Sequence, residues 1–237
     1  MIKHIPNAIT CLNLFSGCMG VVFAFDNNLK YAGYAILIAA FLDFFDGMAA
    51  RLLNINSLMG KELDSLADMV SFGFLPAVIL YQLMSQSTGF YEGNEWIKYS
   101  TFLVAIFSAL RLAKFNIDTR QSDSFIGLPT PSCALVIISL PYIIERGGFF
   151  GNIFQSSESL LIITLILSYL LVAELPLLSL KFKSLSFKEN QYRLVLVISG
   201  LILFIIFNFS AIPLIILIYI LLSIIENNAK AKIQATR

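Results

Sequence analysis

Eight apolar runs, each separated from the next by a short polar stretch, dominate the chain. They cover residues 9–25, 30–53, 60–84, 97–115, 132–144, 159–178, 194–209 and 212–225. A helix crosses a bilayer with about 20 mostly apolar residues, and most of these runs approach that length. The pattern predicts an all-α, polytopic membrane helix bundle with about eight transmembrane helices. The run at 132–144 is long enough only if its helix continues back through Pro131. Pro76 lacks a backbone N–H, so it predicts a kink in the third helix or compensation from a neighbour. Gly147, Gly148 and Gly151 predict a loop after the fifth helix, and 208–210 a tight hairpin between the last two.

Composition agrees. Of the 237 residues, 58% are hydrophobic and 13% charged, against about 45–50% and 25% in soluble domains. No repeat or linker divides the chain, so 1–237 reads as a single integral membrane domain. The net charge is +1 and no basic stripe or finger motif occurs, so nucleic acid is not an expected partner. Cys11, Cys18 and Cys133 lie inside apolar runs without CxxC spacing and read as packing residues. His4 is the only histidine, which argues against Ser-His-Asp or Cys-His catalysis.

Basic residues orient the bundle. With eight spans and the N-terminus inside, thirteen Lys and Arg fall on the inner side, and only Lys30, Lys98 and Arg146 on the outer. Merging the last two runs changes the division to ten against six, so the positive-inside rule favours separate spans. Both termini are then cytoplasmic, as is the stretch that carries the chemistry.

That stretch runs from Asp43 to Asp68. Asp43 and Asp46 are three apart and Asp64 and Asp68 four apart, so each pair shares a helix face. An aspartate at membrane depth costs about 2.5–3.5 kcal/mol, which makes such residues functional candidates. If the two helices pack antiparallel, their carboxylates converge. Carboxylates that close repel unless a cation sits among them, and their hard oxygens suit Mg²⁺, Mn²⁺ or Ca²⁺. Arg51, near Asp46, offers a planar fork of donors suited to phosphate. The set reads as a site for a substrate containing pyrophosphate.

The sequence Asp43, Asp46-Gly47, Ala50-Arg51, Gly60, Asp64, Asp68 resembles the signature of the CDP-alcohol phosphatidyltransferase family at every fixed position. The resemblance implies transfer of a phosphatidyl group from CDP-diacylglycerol to a small alcohol, with release of CMP. It implies Mg²⁺ or Mn²⁺, one ion or two, held by Asp43, Asp46 and Asp64, with Asp68 a further ligand or the general base. It implies that Gly47, Ala50 and Gly60 let the nucleotide approach, that Arg51 and Ser57 contact it, and that Asn7, Thr10 and Asn13 close over the cytidine. A homodimer in the bacterial inner membrane is also implied, with the active site facing the cytoplasm. On this reading 1–146 is the catalytic half around motif 43–68, and 159–237 adds transmembrane helices.

Ser71-Phe-Gly73, Arg111-Leu-Ala-Lys114-Phe-Asn116 and 125–132 are similar to phrases of the family's phosphatidylserine synthase branch. They imply L-serine as the acceptor. Arg111, Lys114 or Arg120 would meet its carboxylate, and Asn116, Asp118 or a backbone carbonyl its ammonium. Lys114 stands where arginine is commoner, and a point charge does not reproduce a bidentate fork. Glycerol phosphate and inositol are the alternative acceptors. An ion-coupled transporter also carries intramembrane acids, but it usually shows inverted repeats and broken helices, and neither is visible here.

Overall fold

The computed structural model describes residues 4–55, 57–90, 96–118, 125–178 and 187–235. It is a helical membrane protein. The helices are α1 (Ile5–Phe25), α2 (Leu29–Leu52), α3 (Leu58–Asp68), α4 (Leu75–Ser85), α5 (Leu103–Ile117), α6 (Thr130–Arg146), α7 (Gly148–Gln155), α8 (Ser157–Val172), α9 (Phe187–Phe207) and α10 (Ile212–Ala235). Two short strands, β1 (Phe125–Ile126) and β2 (Pro176–Leu177), pair antiparallel. Arg120 lies outside the described residues, as do 181–186 of the basic stretch 181–193 expected to be a loop; the rest of that stretch begins α9 instead.

Among the described residues, four stretches are long and apolar enough to cross a membrane: Ile5–Phe25, Leu58–Ser85, Ile97–Ile117 and Asn190–Ala229. The last contains two helices. A 3₁₀ turn at Asn208–Ala211 folds α10 back along α9, and Arg193 meets Glu226 at 3.8 Å. The final two apolar runs are therefore an antiparallel hairpin.

Several boundaries differ from the hydrophobic pattern, each for a local reason. Pro6 extends α1 back to Ile5, because a first-turn proline lacks only an N–H that has no helical partner anyway. Pro131 likewise sits in the first turn of α6. The eighth helix runs on to Ala235, through its polar end. The sixth stops at Val172 instead of reaching 178, since the residue before Pro176 is biased to extended backbone, and β2 forms there. The glycine-rich stretch after α6 holds α7: Gly147 and Gly148 take positive φ angles of 67° and 71° and start a new helix. The third apolar run is interrupted by a π-helical turn at Met69–Phe74, just before Pro76.

Burial inverts the usual amphipathic logic. On α1 the buried face carries Thr10, Asn13, Ser16, Gly17 and Gly20, while Leu12, Phe15, Met19 and Val22 are exposed. Lipid tails solvate leucine as well as another helix does, so small and polar residues make the helix contacts instead. Helix α4 is the centre of the bundle, with Leu75, Ala77, Val78, Ile79 and Leu80 fully buried, and it packs on α1, α2, α5, α6 and α8.

The two ends of the bundle are tied separately. At one end Lys30 pairs with Glu145 (2.5 Å) and Gln86 with Asn27 (2.6 Å). At the other, Lys61 reaches the Asn116 carbonyl (2.8 Å), Lys114 pairs with Glu174 (3.0 Å) and Asn227 reaches the Pro176 carbonyl (2.5 Å). The second end holds the aspartates.

Gly17 makes a close junction with the π-helical turn that follows the acidic helix. A Cβ there would lie 2.5 Å from the Ser71 hydroxyl and 3.1 Å from its Cα. Gly17→Ala should lower stability by about 1–3 kcal/mol, as overpacking does. Thermal unfolding in detergent would show it, with Cys18→Ala, at an exposed neighbour, as the control that leaves the midpoint nearly unchanged.

Candidate active site

Three elements build the site. Helix α2 presents Asp43, Asp46, Gly47 and Ala50, α3 presents Gly60, Asp64 and Asp68, and α1 packs on both. The turn between α2 and α3 is fixed by backbone hydrogen bonds. The Asn54 N–H reaches the Arg51 carbonyl (3.2 Å) and the Ile55 N–H the Ala50 carbonyl (2.9 Å). That is a Schellman motif, with Asn54 at the left-handed position (φ 51°) where asparagine is the usual substitute for glycine. Ser57 then caps α3, its hydroxyl accepting from the Gly60 N–H at 3.2 Å.

Asp43, Asp64 and Asp68 each place a carboxylate oxygen within 4.8 Å of the others. Asp46 is buried beside them, its Oδ2 accepting from the Thr10 hydroxyl at 2.7 Å. Asn13 Nδ2 lies 3.4 Å from Asp68 Oδ1. The Ser71 hydroxyl donates to Asn13 Oδ1 at 2.7 Å, which turns the amide NH₂ toward Asp68. Asn7 lies against α3, its Oδ1 3.2 Å from where a Cβ on Gly60 would stand.

Electrostatics decides what such a cluster is for. At an effective dielectric near 20, two unit negative charges 4.8 Å apart repel by about 3 kcal/mol. Asp64 Oδ1 is buried and has no hydrogen-bond partner among the described residues. Three carboxylates around one centre, one with an unsatisfied oxygen, fit a hard divalent cation.

Beside the cluster opens a cavity of about 240 Å³, lined by Asn7, Thr10, Asp46, Gly47, Ala50, Ser57, Gly60 and Asp64 together with Pro6, Ile55 and Lys61. Almost every residue of the nucleotide-binding expectation lines it. Asn13 lies deeper, against Asp68, and Arg51 is exposed on the last turn of α2, outside the lining. An apolar groove of about 420 Å³ between α1 and α2 includes Leu12, Phe15, Ile38 and Leu42, so it ends next to Asp43.

The three acceptor candidates separate. Arg111 is 7% exposed within α5, its Nε has no hydrogen-bond partner among the described residues, and it lies within electrostatic reach of Asp68 and Cys133. Lys114 is turned to Glu174, and Asn116 bridges to α3 through Ser65 Oγ (2.9 Å) and Lys61. Lys61 and Ser71 are the residues that sequence reasoning did not place in the site. Lys61 adjoins Gly60 within the motif, which was the available signal. Ser71 acts only through Asn13, a contact between distant parts of the chain.

Comparison with known proteins agrees with this geometry. A protein of Helicobacter pylori named CDP-diacylglycerol–serine O-phosphatidyltransferase is 39% identical over 135 residues, covering 56% of this chain and 55% of its own length. Proteins of the same name are 40% identical over 142 residues in Bacillus subtilis (59% of this chain, 77% of that protein) and 37% over 166 in Saccharomyces cerevisiae (63% and 58%). The chain thus spans little more than half the length of the Helicobacter and yeast relatives it matches. The sequence profile of CDP-alcohol phosphatidyltransferases matches residues 3–174, a segment that contains every aspartate of the cluster and the whole cavity lining. The chain belongs to the CDP-alcohol phosphatidyltransferase family.

Proposed function

We propose that this chain transfers the phosphatidyl group of CDP-diacylglycerol to the hydroxyl of L-serine and releases CMP. The observation that carries this reading is a glycine with no packing role beside the carboxylate cluster. A Cβ on Gly47 would meet nothing within 4 Å, yet glycine inside a helix costs about 1 kcal/mol relative to alanine. The chain itself does not require the missing side chain, so a ligand that closes on the backbone does. Asp46, Thr10, Asn7 and Gly60 surround that same cavity, and the cytidine end of the substrate fits among their donors and acceptors. The apolar groove that ends near Asp43 suits an acyl chain. Serine as the acceptor is supported by the names of the relatives and by Arg111, a buried cation with an unpartnered N–H near Asp68.

Asp43, Asp64 and Asp68, with Asp46 beside them, would hold Mg²⁺ or Mn²⁺, one ion or a pair. Such an ion, when bound, neutralises pyrophosphate and stabilises the departing CMP. The reaction forms a bond between the serine oxygen and the phosphatidyl phosphorus and breaks the bond from that phosphorus to the oxygen of CMP. Asp68 receives the hydroxyl proton. Asn13, fixed by Ser71, holds the Asp68 carboxylate in place. Thr10 does the same for Asp46, and the guanidinium of Arg111 meets the serine carboxylate.

The basic ends of α3 and α5 lie at the end of the bundle that holds the acids, which supports an active site open to the cytoplasm. The apolar helices support an integral membrane location, which we read as the inner (cytoplasmic) membrane of a bacterium. A homodimer completes the reading.

Purified protein with CDP-diacylglycerol and Mn²⁺ or Mg²⁺, offered serine, inositol and glycerol phosphate separately, should release CMP fastest with serine. Preference for another alcohol would move the chain to a different branch. Asp68→Asn should lower turnover by about 10²–10⁴-fold, the usual range for a general base, with CDP-diacylglycerol binding retained; near-normal turnover would remove Asp68 from that role. Gly47→Ala should leave stability unchanged or raise it by up to about 1 kcal/mol while raising the KM for CDP-diacylglycerol. An unchanged KM would mean that no ligand approaches that backbone.

A further inference from the structure

The helix that replaces the expected glycine-rich loop, α7, has no part in the reaction, and both of its ends lie at one end of the bundle. It starts just past Glu145, the partner of Lys30. At its finish the Gln155 carbonyl accepts from the Thr88 N–H (3.2 Å), just beyond α4, and the Thr88 carbonyl accepts from Ser157 (2.8 Å), which opens α8. An eight-residue helix is about 12 Å long, so α7 lies across the end of the bundle and does not run back along it. Gly151 shows the contact. A Cβ there would stand 3.1 Å from the Ile143 carbonyl oxygen and 3.2 Å from that of Ile144, in the last turn of α6. This is the end remote from the aspartates.

The side chains of α7 divide by direction. Gly151 is buried and Phe154 packs against the core. Phe149, Phe150 and Ile153, three and four apart, share a face and are exposed. The two phenyl rings, 75% and 66% exposed, meet edge to face at 5.5 Å. Asn152 and Gln155 are exposed polar residues on another side. A helix with an aromatic apolar side and a polar side, lying flat on the end of a membrane bundle, has the form of an interfacial helix. Trp96 and Tyr99 stand at the same end, before α5 begins, with ring centroids 6.0 Å apart. Such aromatic residues favour the level of the lipid headgroups.

The lengths of the two neighbouring helices give α7 a purpose. Helix α6 has 17 residues and α8 has 16, lengths of about 24–26 Å. The hydrocarbon core of a bilayer is about 30 Å thick. Both helices nevertheless run between the two ends of the bundle. Helix α6 goes from the β ribbon to Glu145, and α8 from the Thr88 bridge to just before Glu174, the partner of Lys114. By contrast α1 has 21 residues and the Leu58–Ser85 stretch 28. The two short passages are joined to each other by α7, so an apolar helix lies where both of them stop. A helix of this kind sinks about 5–10 Å into the boundary between headgroups and acyl chains, which matches the shortfall.

We propose that α7 is an interfacial anchor. Its Phe149, Phe150 and Ile153 side lies in the headgroup–acyl boundary of the leaflet remote from the aspartate cluster, and it supplies the reach that α6 and α8 lack. The partner is the lipid surface itself, and the inference does not depend on the reaction or on the choice of alcohol.

The test uses tryptophan fluorescence of the full chain in phosphatidylcholine vesicles. Trp96 is the only tryptophan, so Trp96→Phe gives a silent background into which Phe150→Trp or Asn152→Trp is placed. Phe149→Trp repeats the measurement at the neighbouring position, and thermal unfolding in detergent checks that each variant is folded. Phe150→Trp should emit further to the blue than Asn152→Trp and be several-fold less quenched by aqueous iodide. Phosphatidylcholine brominated near the headgroup should quench it more than the same lipid brominated near the chain ends. Equal iodide quenching of the two variants would put this side of α7 in water and overturn the proposal. Stronger quenching by the deep bromines would place it in the hydrocarbon core instead of the boundary. Bromine quenching that disappears as the protein-to-lipid ratio is raised would mean that a second copy of the chain covers the face, which also overturns it.

Discussion

Negative charges that repel one another must be kept together at the end of a bundle whose surroundings solvate charge poorly, and most of the local structure answers to that requirement. The carboxylates of Asp43, Asp64 and Asp68 come from two helices, and neither helix alone brings all of them together. Helix α1 supplies the common wall, with Thr10 set against Asp46 and Asn13 against Asp68. The Schellman turn at Asn54 and the Ser57 cap then fix how α3 leaves α2. Without those constraints the acids would relax apart, since separation lowers their mutual repulsion.

A second principle governs the rest of the bundle. Where the surrounding medium is hydrocarbon, apolar surface gives helices little reason to associate, so close approach and hydrogen bonding must hold them together. Gly17 against Ser71, Ser16 to the Ala35 carbonyl (2.9 Å), and the polar face of α10 against Leu178 are three instances. The outer faces of α9 and α10 carry Val195, Ile198, Leu201, Ile205, Leu217 and Leu221, all exposed. Such an exposed apolar face suits a hydrocarbon medium.

Much of this was legible in the chain. The apolar runs marked a helical membrane protein, and the spacing of the aspartates indicated the faces on which Asp43, Asp64 and Asp68 meet. The cavity lining of Asn7, Thr10, Gly47, Ala50, Ser57 and Gly60 follows the motif closely. What hydropathy could not show depends on partners remote in sequence. Ser71 reaches the site through Asn13, and the contacts of Lys114 with Glu174 and of Asn116 with Ser65 join residues far apart in the chain. The short strands escaped notice for a related reason: two residues each are too few for any alternation of apolar and polar positions.

The π-helical turn at Met69–Phe74 shifts the register of the long third helix. Each turn of π geometry takes up about one residue more than an α turn, so the acidic half and the packing half are rotated relative to one another by about 100°, the angle of one residue in an α-helix. A straight α-helix through the same sequence would turn Leu75, Val78 and Ile79 toward different neighbours if Asp64 and Asp68 kept their aim at the α2 carboxylates. The two halves of that segment are thus free to follow separate rotational phases, one set by chemistry and the other by packing.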